Sequence, residues 1–216
     1  MFRFRHVMPL AAVVLTVTAA PALAGPPLLC HPFDIGNARS LPWDGTSAWW
    51  QGRTDYNLQN LVADTDAILT PSTPVIVRME TLRRAALYAS LDGKVAAALL
   101  SSVTARANAG TQSAAGATAL FDAGYLTETY KQIAMLRGER QFADRARTIA
   151  GVVGSADGTA MINRAITQRP DDASIRFAAA LVAATADRTA YRDHADKARK
   201  GAAQDALLAR NIDKLS

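Results

Sequence analysis

Beyond residue 54, the apolar residues recur at three- and four-residue spacing, which is the period of an amphipathic α-helix. Alternating β-branched runs, the usual sign of strands, are hard to find in this region. Gly, Pro and Ser clusters divide the pattern into segments. The predicted helices cover residues 54–69, 74–90, 94–108, 117–136, 139–152, 158–168, 172–185 and 189–214. We therefore predict an all-α fold, an array of antiparallel helical hairpins with an irregular N-terminal arm.

Three local signals refine these boundaries. Thr73 precedes Pro74 as an N-cap precedes the first helical position, where proline lacks only an N–H that would be unpaired anyway. Asp171 and Asp172 follow Pro170, where carboxylates can accept from free amide groups at a helix start. Gly201 predicts a break or kink in the last helix.

The first 24 residues have the layout of a secretory signal peptide. Arg3 and Arg5 precede a short apolar run, and Pro21 is followed by small residues that predict cleavage after Ala24. The apolar run is too short for a spanning helix, which needs about 20 residues. The mature chain is expected to be periplasmic or secreted, without stable membrane insertion after cleavage. An uncleaved membrane anchor is the alternative.

Residues 25–53 form a predicted arm ahead of the helical domain at 54–216. Its prolines exclude a continuous helix, but its apolar content is too high for a solvated tail. It also contains Trp43, Trp49 and Trp50, the only tryptophans of the chain. We expect the arm to pack against the helices, with Cys30 as a small buried residue within it. The rival interpretation is an exposed aromatic platform in which the three tryptophans bind carbohydrate or peptide.

The charge pattern excludes one class of partner. The formal net charge of +5 falls to +3 without the two arginines of the leader. The remaining charges alternate in sign, as in "ADRTAYRDHADKARK" at 186–200, and form no basic stripe. We therefore expect no nucleic-acid partner.

No group of residues predicts a catalytic centre, a metal site or a cofactor. Cys30 and His31 are adjacent, and neighbouring side chains on an extended chain point in opposite directions. A single cysteine cannot form an internal disulfide, and two histidines beyond the leader are few for a zinc site. The glycine-rich "GVVGSADGT" lacks the Lys-Ser/Thr of a phosphate-binding loop. We predict none of the three.

Residues 158–184 resemble the junction between two tetratricopeptide repeats. Gly158, Ile162, Ala165 and Pro170 lie at the offsets of the small, bulky, alanine and proline positions in the second helix of that repeat. The next helix supplies an apolar, a small and a larger residue at the expected places, namely Phe177, Ala178 and Leu181. The resemblance covers about residues 158–198 and implies helical hairpins in which small residues allow close contact.

These observations favour a binding function over catalysis. Repeats of this kind present a concave face made by the first helix of each pair. The resemblance therefore implies a protein or peptide partner, with Ser174 and Arg176 as candidate surface residues. The arm sequence "CHPFDIGNARSLPW" resembles the mature start of a group of secreted bacterial proteins, which implies export but no activity. A secreted enzyme, or an envelope structural protein without a pocket, remains the alternative.

Overall fold

The computed structural model describes residues 25–44, 48–110 and 113–215, and this part of the chain is all-α without strands. The predicted signal peptide and its cleavage site at Ala24 lie outside the described residues. The helices are α1 (Leu61–Ile68), α2 (Val75–Ala89), α3 (Gly93–Ala109), α4 (Ala114–Met135), α5 (Ala143–Val153), α6 (Gly158–Gln168), α7 (Ala173–Ala183), α8 (Arg188–Gly201) and α9 (Ala206–Ala209). Within the described ranges, no helix has both the length and the hydropathy needed to cross a membrane.

Most helix boundaries agree with the sequence prediction, and α6 has the predicted bounds. The first helix is shorter than predicted, because a 3-10 turn at Leu58–Asn60, capped by the Asn57 side chain, precedes α1. The last predicted helix is divided after Gly201, as expected, into α8, α9 and two 3-10 turns. Asp205 caps the start of α9 by accepting from two backbone amides.

Acidic residues and one serine cap most of the helix starts. Asp172 is the N-cap of α7 and accepts from the Ile175 amide at 3.0 Å, which confirms its predicted role. The prediction for Thr73 is wrong, since Pro74 is the N-cap of α2. The Thr73 hydroxyl instead donates to the carbonyl of Ile68, so it closes the turn between α1 and α2.

The helices pack as antiparallel pairs around α4, which contacts α2, α3, α5, α6 and α7. The most extensive contacts join α7 to α8 and α4 to α6. Gly124 and Gly158 meet where α4 and α6 cross, and a Cβ on Gly124 would lie only 2.6 Å from the Gly158 carbonyl oxygen. The absence of side chains at this crossing allows the two backbones to touch. The described chain therefore has the predicted architecture of packed helical pairs.

The stretch expected to form a hairpin contact is buried on both of its helices. α6 contacts α7, and the side chains concerned are 2 % exposed or less, namely Ile162, Ala165, Phe177, Ala178 and Leu181. The main partner of α6 is nevertheless α4.

The arm crosses the helical domain and is held at several places by its backbone. The Leu28 amide donates to Gln132 Oε1 of α4 at 2.9 Å. Further along the arm, the Asp34 amide donates to Asn211 Oδ1, and the Asp34 carbonyl accepts from Asn211 Nδ2. The apolar residues of the arm are buried beneath this path, namely Leu28, Leu29, Phe33, Ile35 and Leu41. The arm thus links helices that are distant in sequence.

The polar face of α2 binds the centre of the arm. Glu80, Arg83 and Arg84 share one face of α2, because they are spaced by three and four residues. Glu80 is fully buried and accepts from the Phe33 amide at 3.0 Å. Arg84 Nη1 donates to the Leu41 carbonyl at 2.6 Å. The arm therefore covers the side of α2 that would otherwise carry charges in water.

The charges beneath the arm are internally balanced. Arg83 is fully buried, and its guanidinium donates twice to Glu80 at 2.8 Å. Burial alone would raise the pKa of Glu80, but the hydrogen bonds and charges of Arg83 and Arg84 outweigh it and lower the pKa below its usual value. Glu80 is therefore an anion that neutralises a buried arginine.

Candidate functional site

An open groove of about 450 Å³ lies where the start of α7 meets the end of α8. Three basic residues line it, Arg176 from α7 with Lys197 and Lys200 from α8, against one acid, Asp171. The two helices approach closely at Gly201, where a Cβ would collide with the Ala173 side chain. This contact fixes the spacing of the basic residues on the two helices.

Arg176 makes only long contacts in this groove. Its Nη1 lies 3.4 Å from His194 Nδ1, and its Nη2 lies 3.4 Å from the Pro170 carbonyl oxygen. Both distances exceed the usual 2.7–3.2 Å of such hydrogen bonds. Its Nε is buried without a hydrogen-bond partner among the described residues. A guanidinium has five N–H groups, so Arg176 retains unused capacity to bind an anion.

His194 reports on the electrostatics of this groove. Burial, followed by the positive charge of Arg176, lowers the pKa of His194 below its usual value. Lys197 lowers it further, while Asp193 and Asp187 act in the opposite direction. The balance of these effects is a positive local potential around the imidazole.

Ser174, the second candidate of the α7 segment, is not a surface residue. It is 3 % exposed, and its hydroxyl donates to Asp205 Oδ2 at 2.7 Å. Ser174 precedes Phe177, Ala178 and Leu181 by three, four and seven residues, so it belongs to the buried stripe of α7. The surface assignment of Ser174 was therefore wrong, and its spacing alone predicts the burial. Arg176 lies off that stripe and reaches the groove.

The three tryptophans lie half-buried on the helical domain. Trp43 packs edge-on against Tyr88 of α2, with ring centroids 5.5 Å apart. Trp49 stacks on Phe142 at 5.4 Å, and Trp50 meets the same ring at 5.8 Å. Each indole therefore uses one side for internal packing. Their ring partners are Tyr88 and Phe142, and none of the three lines the groove of Arg176 in the described part of the chain.

The other residues considered for chemistry lie apart from the groove. Cys30 is a free, half-buried thiol, and burial raises its pKa despite the nearby charge of Arg83. A raised pKa disfavours the reactive thiolate. His31 is exposed on the arm. Within the described ranges, no cluster of three or more His, Cys, Asp or Glu side chains is placed to hold a metal ion.

Two further grooves flank α5, and one of them is also lined by two basic residues, Lys131 and Arg137. One, between α3 and α5, is lined by residues such as Leu100, Ser101 and Thr104. The other, between α4 and α5, includes Met135, which is 72 % exposed. They provide shallow apolar surface without a buried polar group to orient a ligand.

An interior ion pair was not foreseen from the sequence. Arg78 of α2 and Asp122 of α4 are 1 % and 2 % exposed and lie 2.6 Å apart. Arg78 also donates to the carbonyls of Thr70 and Thr73, which fixes the loop before α2. Burial raises the pKa of Asp122 to about 6, against the opposing charge of Arg78. The pair lies in the interior, so its role is structural.

Comparison with known proteins adds no name to this arrangement. The chain matches no protein-family model, no curated protein and no solved structure. Its function must therefore be inferred from its own residues.

Proposed function

We propose that this protein is an exported binding module that docks a segment of another protein in the groove between α7 and α8. One observation carries the proposal. Arg176 is one of three basic side chains that line an open groove, and the contacts of its Nη1 and Nη2 atoms are both long at 3.4 Å. The two fully buried arginines, Arg78 and Arg83, are by contrast paired with internal carboxylates at 2.6 and 2.8 Å.

The shape of the groove supports a polypeptide ligand. The surface is open and is formed by two adjacent helices, so an extended chain can enter it without being enclosed. Enzyme pockets, in contrast, bury most of a small ligand's surface. The leader sequence supports export, and the tetratricopeptide-like pattern at 158–198 supports a protein partner.

Photo-crosslinking in living cells tests this proposal. A photoreactive amino acid replaces Lys200 in the groove, and the matched control replaces Arg188, which is exposed at the opposite end of α8. The two positions are about 18 Å apart along the helix. We expect a discrete polypeptide adduct at Lys200 and none at Arg188. N-terminal sequencing of the adduct should show this protein's own chain beginning at Gly25.

Other outcomes would contradict the proposal. Absence of adducts at Lys200, or equal adducts at both positions, would remove the groove as a docking surface. A third variant carries the photoreactive residue at Ser101. If only this variant formed adducts, the binding surface would be the groove between α3 and α5. The secreted-enzyme alternative would gain support if the purified protein instead converted a small envelope metabolite or a cell-wall fragment.

A further inference from the structure

We infer that the partner segment is acidic, and that one of its carboxylates binds the Arg176 guanidinium between Lys197 and Lys200. This inference rests on the proposed function and specifies the chemistry of its ligand. It follows from the geometry of the groove, in which three cations face one carboxylate, Asp171.

Arg176 has the geometry to accept such a ligand. It is half-buried, so its charge is less well hydrated than that of a free surface arginine. Its present contacts, to His194 Nδ1 and to the Pro170 carbonyl, are both long at 3.4 Å. A carboxylate can accept two parallel N–H bonds from a guanidinium, and such charge-assisted pairs are about twice as strong as neutral hydrogen bonds. Binding would therefore replace weak contacts with strong ones.

The two lysines make the groove selective for more than one carboxylate. Lys197 already contacts Asp193 at 2.7 Å, so part of its charge is neutralised. Lys200 follows one turn later on the same face of α8, near the C-terminal end of the helix. A segment with consecutive acidic residues offers several carboxylates to the three cations, whereas a single small anion offers only one charged group.

His194 provides a built-in reporter for this site. Burial is the largest cause of the lowered pKa of His194, and the charge of Arg176 is the next. A carboxylate bound to Arg176 would offset that charge, so the pKa of His194 should rise when ligand binds. His31 is the other histidine in the described part of the chain, and it is exposed on the arm. Its NMR signal therefore serves as the internal reference.

The experiment is an NMR titration of the histidine ring protons of the purified protein, with a hexaglutamate peptide as the probe. We expect the His194 pKa to rise with hexaglutamate and the His31 signal to remain unchanged. Hexaglutamine should have no effect, and inorganic phosphate should bind much more weakly. Arg176→Gln should itself raise the His194 pKa, and it should weaken hexaglutamate binding at least about tenfold.

Two further variants control for folding and for overall charge. Lys200→Gln should weaken peptide binding and change the His194 pKa of the free protein less than Arg176→Gln does, because burial and the charge of Arg176 are the largest causes of the shift. Arg188→Gln removes the same charge at the other end of α8 and should leave affinity unchanged. Circular dichroism should show equal helix content in all variants.

Each remaining result overturns the inference. Equal responses to phosphate and hexaglutamate would indicate an adventitious ion only. Equal losses in Arg188→Gln and Arg176→Gln would indicate nonspecific attraction. If crosslinking at Lys200 captures a polypeptide but His194 does not respond to hexaglutamate, the proposed function stands and the acidic ligand is wrong. Failure of crosslinking itself would remove the proposed function.

Discussion

Replacing Glu80 by glutamine should detach the arm from α2. Glu80 is fully buried and accepts four hydrogen bonds at 2.7–3.0 Å, one from the Phe33 amide, two from Arg83 and one from Arg84. Glutamine has nearly the same shape but no charge, and its amide group would place N–H donors against the N–H donors of a guanidinium. Arg83, itself fully buried, would lose its counter-charge.

The expected cost is large for a near-isosteric change. Removing one partner of a buried ion pair typically costs about 3–5 kcal/mol, because the remaining charge is left uncompensated. The four hydrogen bonds share the same two oxygens, so their separate contributions cannot be added. We therefore expect the free energy of unfolding to fall by about 3–5 kcal/mol in Glu80→Gln.

Urea unfolding followed by two probes measures this effect. All three tryptophans lie on the arm, so their fluorescence reports the arm, whereas circular dichroism reports the helices. In Glu80→Gln, the fluorescence midpoint should fall below the dichroism midpoint, because the arm detaches first. Asp144→Asn is the control, since that ion pair with Arg147 is 92 % and 76 % exposed and should contribute at most about 1 kcal/mol.

A double variant separates charge from shape. Glu80→Gln combined with Arg83→Met removes the uncompensated charge and should recover part of the lost stability. The reasoning would be refuted if the unfolding free energy of Glu80→Gln lay within about 1 kcal/mol of the parent value. Loss of the counter-ion of a buried arginine should reduce stability by more than that.

The remaining predictions concern helix contacts and pH. Gly158→Ala should lower the thermal stability although alanine has the better helix propensity, because the new Cβ would press on the α4 backbone. Gly151→Ala is the control: it has open space around it and should stabilise the protein by about 0.5–1 kcal/mol. Ala165→Leu should overpack a fully buried position and cost about 1–3 kcal/mol in urea unfolding, while Ala160→Leu on the exposed side of the same helix should be nearly neutral. Asp122 has a folded-state pKa raised to about 6, so its stabilising contribution is complete below its unfolded pKa and is lost as pH rises towards 6. Because other carboxylates contribute slopes of their own, the test is a difference: between about pH 4 and 6 the unfolding free energy should rise more, or fall less, with pH in Asp122→Asn than in the parent protein. Equal slopes would contradict the raised pKa.

The helical pattern could be predicted because it is local. The bounds of α6 follow from spacing and from its flanking Gly and Pro residues, and Asp172 follows from capping chemistry. The role of Glu80 could not be predicted in this way, since its partner Phe33 is distant in sequence and its burial depends on where the arm lies. Amphipathic periodicity ordinarily places the polar face of a helix towards water, and only the fold shows that the arm covers this face of α2.

The candidate site was predicted in part for a similar reason. Arg176 is on the surface as expected, but its partners Lys197 and Lys200 come from a neighbouring helix and were not identified. The surface prediction for Ser174 is wrong because a polar residue three positions before the buried Phe177 lies on the same buried face of the helix. Helical periodicity is the better guide for a small hydroxyl, because a buried hydroxyl can form its hydrogen bond within the protein, as Ser174 does with Asp205.

Hydrogen exchange with and without hexaglutamate tests the central claim most directly, because it observes every helix at once. We expect slower exchange at residues 170–176 and 194–201, and no change in the arm. Slower exchange confined to the arm around Trp43, Trp49 and Trp50 would contradict it, because the aromatic surface, and not the groove of Arg176, would then be where the partner binds.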